Sequence, residues 1–107
     1  MDIDAVAQKK WDCISAMPSQ FGDADSWQAR YRANIPTEDA ARKAVLLEGV
    51  KQRSADEANK FRNLLVQLYG EQKGRAVKYA ETFELNQYGS ATTAAELKKL
   101  FPTFRLR

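Results

Sequence analysis

Residues 37–69 read TEDAARKAVLLEGVKQRSADEANKFRNLLVQLY, and the phase of the apolar positions in this stretch decides the fold. Rotated by about 100° per residue, Ala40, Leu47, Val50, Ser54, Ala58, Phe61, Leu65 and Leu68 fall within one stripe. The phase does not slip, which predicts a single helix over 37–69. Glu38 and Asp39 stand at its positive end, where carboxylates are favoured. Two signals oppose continuity: Gly49 weakens a helix, and Ser54-Ala55-Asp56-Glu57 has the pattern of a capping box. A kink near Ser54 reconciles both.

Upstream, Asn34-Ile35-Pro36 separates this helix from a short one capped by Ser26 or Asp25, in which Trp27 and Tyr31 share a face. Residues 19–25 contain Gly22 and two aspartates and read as a loop. A first helix over 2–17 carries Ile3, Val6, Ala7, Ile14 and Met17 and is stopped by Pro18. Downstream, Gly70 and Gly74 bracket a turn. Residues 76–86 fit helix and strand periodicity almost equally; helix is the expectation, because alanine and glutamate favour it and a lone strand has no evident partner. Residues 88–90 read as a loop, and Thr93-Ala94-Ala95-Glu96 forms a second capping box before a helix ended by Pro102. The tail 103–107 alternates like a strand but reads as a frayed end or a segment folded over the bundle.

The expected fold is therefore all-α, a small bundle of about five helices around one long central helix, in a single domain over 1–107. Ile3, Val6, Ile14, Leu47, Val50, Phe61, Leu65 and Leu68 are expected to share one core.

The 107 residues contain no histidine and a single cysteine, which removes the commonest general base, the commonest metal ligand and most thiol chemistry. Asp23-Ala24-Asp25 begins like a calcium loop, but Trp27 stands where the third oxygen ligand belongs. Glu81 and Glu84 lack the histidines that complete carboxylate-bridged sites in bundles. The glycine-flanked turn at 70–74 is followed by Arg75 and Ala76 rather than the lysine and hydroxyl residue of a phosphate loop. Cys13, near Trp11 and Ile14, reads as a small structural hydrophobe. No catalytic residue, metal ligand or cofactor is assigned, and an enzyme is not expected.

Binding remains. Net charge is +3, with an acidic opening and a basic remainder. Trp27, Arg30, Tyr31, Arg32, Arg53 and Lys60 are the candidate partner-binding residues, since tryptophan, tyrosine and arginine concentrate binding energy at interfaces. The expected function is a non-catalytic protein–protein interaction module, an adaptor, chaperone or inhibitor acting on a larger protein. The alternative is a nucleic-acid-binding accessory protein using Arg30, Arg32, Arg42, Arg53 and Lys60, with aromatics interleaved among arginines. Leu46 and Leu64 project about 80° from the stripe centre and widen the apolar face, so a homodimer is a further partner to weigh. No run approaches the roughly 20 apolar residues of a membrane span, so no membrane partner is expected. The acidic N-terminus and unpaired Cys13 point to the cytoplasm.

Overall fold

The computed structural model describes residues 1–84 and 92–101. Among these the chain is all-α: α1 (Ala7–Ser15), α2 (Pro18–Phe21), α3 (Trp27–Arg30), α4 (Asp39–Lys60), α5 (Arg62–Tyr69), α6 (Glu71–Ala76) and α7 (Ala94–Leu100). A 3-10 turn at Asp4–Val6 leads into α1, and one isolated antiparallel bridge joins Asp2 to Ala80. No helix among the described residues is long and apolar enough to cross a membrane.

The long helix exists but is shorter than its apolar phase implies. Glu38 caps α4, its two carboxylate oxygens accepting from the amides of Ala40 at 2.9 Å and Ala41 at 2.6 Å. The helix breaks at Phe61, where φ is −104° and ψ is 24°, and α5 resumes at Arg62. Phe61 still donates to the Glu57 carbonyl at 3.1 Å and Leu65 to the Phe61 carbonyl at 3.0 Å. The break is thus a kink that preserves phase, which is why periodicity alone does not reveal it. It does not lie near Ser54, which is buried in mid-helix with its carbonyl accepting from the Ala80 amide at 2.9 Å.

The turn expected between Gly70 and Gly74 shrinks to one residue. Gly70 takes φ +86°, open to glycine without strain, and α6 begins immediately after it. Gly74 is instead helical and buried: a Cβ there would lie 2.5 Å from the Val66 nitrogen and 2.7 Å from the Leu65 carbonyl carbon, so α5 and α6 touch backbone to backbone. Arg62 closes this pair, its Nη1 donating to the carbonyls of Gly74, Arg75 and Val77 at 3.0, 3.2 and 2.6 Å. It satisfies carbonyls that the C-terminal end of a helix otherwise leaves open.

The helix expected over 76–86 is overturned. Residues 77–84 run extended as a strap, and 85–86 lie outside the described residues. Its backbone bonds are long-range: Ile3 donates to the Tyr79 carbonyl at 3.1 Å, and Glu81 to the Met1 carbonyl at 2.9 Å. The Asp4 carboxylate accepts from the amides of Lys78 and Tyr79, the latter at 2.7 Å. A strand partner therefore exists in residues 1–4, far away in sequence.

Pro18 also does more than end α1. It is the first residue of α2, where its missing N–H costs nothing, so the expected loop over 19–25 is helical through Phe21. Ser26 caps α3 and Thr93 with Glu96 forms the capping box of α7, both as the sequence predicts. The expected loop at 88–90 and the tail at 103–107 lie outside the described residues.

The buried residues form two clusters along α4 rather than one core. Ala7, Trp11 and Val50, with Ile14, Phe21, Leu47 and Tyr79 against them, make the first; Ala58, Leu65, Val77 and Ala80, with Tyr69, make the second. Trp11 meets the Tyr79 ring edge-on at 5.6 Å. Val6 is 53% exposed and belongs to neither cluster, because Ile3 and, on α1, Ala7 and Trp11 are turned inward instead. Leu46, placed beside the stripe by phase, is only 3% exposed, whereas Leu47 is half-buried. Helices α1 and α2 both pack on α4, so its buried face is wider than one stripe. Cys13, expected to be a small structural hydrophobe, is an exposed free thiol.

Candidate binding face

Helix α3 is a single turn whose orientation is fixed from within. Ser26 and Ala29 are buried, and the Ser26 hydroxyl accepts from the Ala29 amide at 3.3 Å. Turning those two positions inward leaves Trp27, Arg30 and Tyr31 on the outside. Trp27 is 59% and Tyr31 75% exposed. Their rings sit 5.2 Å apart with planes inclined at 55°, an i to i+4 pair in tilted contact in solvent rather than a core anchor.

Arg32 follows directly and lies across α4. Its Nη1 donates to the Val45 carbonyl at 3.4 Å, and a Cβ on Gly49 would stand 2.7 Å from the guanidinium carbon. Gly49 is therefore the seat of a guanidinium, a role that helix propensity does not suggest. Arg53 reaches the same residue, its Nε donating to the Gly49 carbonyl at 3.4 Å. No carboxylate pairs with Arg30, Arg32 or Arg53 among the described residues.

Two of the basic positions separate from this group. Arg42 is 5% exposed and is withdrawn from any surface: its Nε donates to the Gly22 carbonyl at 2.9 Å, Nη1 to Thr37 at 2.8 Å and Nη2 to Asp39 at 2.6 Å. Lys60 is exposed over the Phe61 ring at 5.0 Å, seven positions and so about 10 Å along α4 from Arg53. Of the six candidate residues, Trp27 and Tyr31 pair with each other, Arg32 and Arg53 both reach Gly49, Arg30 is exposed on α3, and Lys60 stands apart. Leu46 is buried within the molecule and offers nothing to a second copy, while Leu64 is exposed.

Beside Arg53 lies a groove of about 360 Å³ whose walls mix Lys10, Gln28, Ser54, Glu57 and Glu81 with the apolar Ile14, Phe21 and Val50. Sequence reading missed it, since it is the strap that brings Glu81 to Lys10 of α1. Lys10 Nζ is paired with the Glu81 carboxylate at 2.5 Å and donates to Ser54 Oγ at 3.4 Å. A serine beside a lysine invites a nucleophile reading. Here the Lys10 ammonium is engaged by the Glu81 carboxylate and meets Ser54 Oγ as a hydrogen-bond donor. Glu57 accepts from the Thr82 hydroxyl at 2.6 Å. No group of three or more cysteine, aspartate or glutamate side chains suited to a metal ion occurs among the described residues. No protein-family model matches the chain, and no curated protein or solved structure is significantly similar to it.

Proposed function

We propose that this protein is a non-catalytic binding module that docks a larger protein partner through the α3 face. The observation that supports this reading is the exposed Trp27–Tyr31 pair, rings in tilted contact, on a helix whose inner side is fully committed to the fold. Two large rings left in water beside arginines that form no ion pair have the composition of an interface hot spot. An adaptor, a chaperone and an inhibitor all begin with such a contact. The nucleic-acid alternative is weaker, because it loses Arg42 to the interior and finds Lys60 apart from the others.

The test is recovery of the protein with its native associates from its source cells, after nuclease treatment. A partner present in fixed ratio should survive nuclease and be lost from a folded Trp27→Ser/Tyr31→Ser variant, each anchor being worth about 2 kcal/mol or more. In the purified pair, Trp27 should be protected from hydroxyl-radical oxidation. Retention of the partner by the double variant, loss of all associates on nuclease treatment, or self-association alone would each overturn the proposal.

A further inference from the structure

Resting on that docking face, we infer the chemistry of its partner: an acidic protein segment whose carboxylates enter the notch where Arg32 and Arg53 meet at Gly49, and whose neighbouring apolar side chain covers Trp27 and Tyr31. Two local costs converge on the notch. A glycine inside α4 gives up about 1 kcal/mol of helix stability relative to alanine. The space it opens is filled by the Arg32 guanidinium, which donates to the Val45 carbonyl, and Arg53 donates to the carbonyl of Gly49 itself, so two cations converge on Gly49 with no ion-pair partner among the described residues. Each guanidinium carries five N–H donors and commits one to a backbone carbonyl at 3.4 Å. The remaining donors suit the planar, two-pronged geometry of a carboxylate.

The surroundings favour a short acidic segment over a nucleic-acid backbone. Glu48 precedes Gly49, Asp56 follows Arg53 by one helical turn, and Asp25 precedes α3, and all three are exposed. A phosphate chain repeats its charge along its whole length and would run into these carboxylates, whereas one or two acidic side chains touch only the notch. Arg42 and Lys60, which would extend a phosphate track, are buried and about 10 Å distant respectively. The exposed Trp27–Tyr31 pair adds an apolar anchor beside the charge.

The experiment selects displayed random peptides on the intact protein and then measures a synthetic peptide of the enriched sequence. Enriched peptides should carry aspartate or glutamate next to an aromatic or aliphatic residue. Affinity should fall about tenfold when the peptide carboxylates become amides, and similarly in Arg32→Gln/Arg53→Gln. Gly49→Ala should weaken binding while its thermal midpoint stays at or above that of the parent, because the added methyl displaces a flexible side chain from a stiffer helix. Enriched peptides that lack acidic residues yet still require Trp27 and Tyr31 would overturn the inference and leave the docking reading intact. Peptides bound equally by Trp27→Ser/Tyr31→Ser would instead defeat the docking reading. Displacement of the peptide by oligothymidylate, dependent on Arg32 and Arg53, would replace the acidic segment with nucleic acid, and absence of any enrichment would overturn the inference outright.

Discussion

Gly49 and Gly74 both sit inside helices, and what each would meet on gaining a side chain differs in kind. At Gly49 the nearest atoms are the far end of Arg32, which swings away. At Gly74 they are the backbone of Leu65 and Val66, which cannot move without parting α5 from α6. Gly49→Ala should therefore stabilise by about 0.5–1 kcal/mol, the ordinary gain of alanine over glycine in a helix. Gly74→Ala should destabilise by about 1–3 kcal/mol, the cost of overpacking. Urea denaturation of the two variants decides the matter, and shifts of the same sign would refute the packing described for α5 and α6. Neither role is legible in sequence, where both glycines merely weaken a helix. Arg42 and Arg62 are illegible for a related reason: apart from Asp39 and Asn59, their acceptors are main-chain carbonyls, which carry no signature of residue type. The Trp27–Tyr31 pair was readable as a pair from its spacing. Its exposure was not, because that depends on Ser26 and Ala29 being turned inward by the rest of the fold.

At the scale of elements, helix ends were the most legible features. Ser26, Pro18 and the Thr93–Glu96 box act locally, within one turn of the residues that define them. The start of α4 is similarly local and makes the stability of that end depend on pH. Hydrogen bonds from the amides of Ala40 and Ala41 hold the Glu38 carboxyl below the usual glutamate range, and the Lys43 ammonium does the same for Asp39. A carboxyl whose folded-state pKa is depressed stabilises the fold above its unfolded value and loses that contribution as pH falls through the folded value. Acidification through the carboxylate range should thus fray the first turn of α4. Amide exchange at Ala40 and Ala41 should accelerate in acid relative to its intrinsic rate, with a smaller pH response in Glu38→Gln. An equal response in parent and variant would show that Glu38 does not hold this end. The kink at Phe61 escaped detection because it conserves phase, and phase is what periodicity measures.

The whole molecule is organised by a pairing that no local pattern encodes. Helix α4 carries two buried clusters side by side, and the strap at 77–84 contributes Tyr79 to one and Val77 and Ala80 to the other. Residues 1–4 hold the strap, with Asp4 receiving two of its amides. Replacing Asp4 with alanine should cost about 1 kcal/mol, the scale of an exposed capping bond, and should speed amide exchange at Lys78 and Tyr79. Asp4→Asn, which keeps an acceptor oxygen, should lose less; an unchanged exchange rate in Asp4→Ala would show that the strap is held by its packing alone. The expected helix at 76–86 failed at this scale, since residues 77–80 take their form from partners at the opposite end of the chain.

That closure also dictates an order of events during synthesis. Asp4 and Tyr79 are 75 residues apart, so Asp4 is joined to the chain about 4–15 s before its partner is made, at about 5–20 residues per second. Trp11 spends that interval without the Tyr79 ring that covers its edge. Helix α1 is consequently made before the residues that complete its packing and acquires its final contacts only once the strap has been translated.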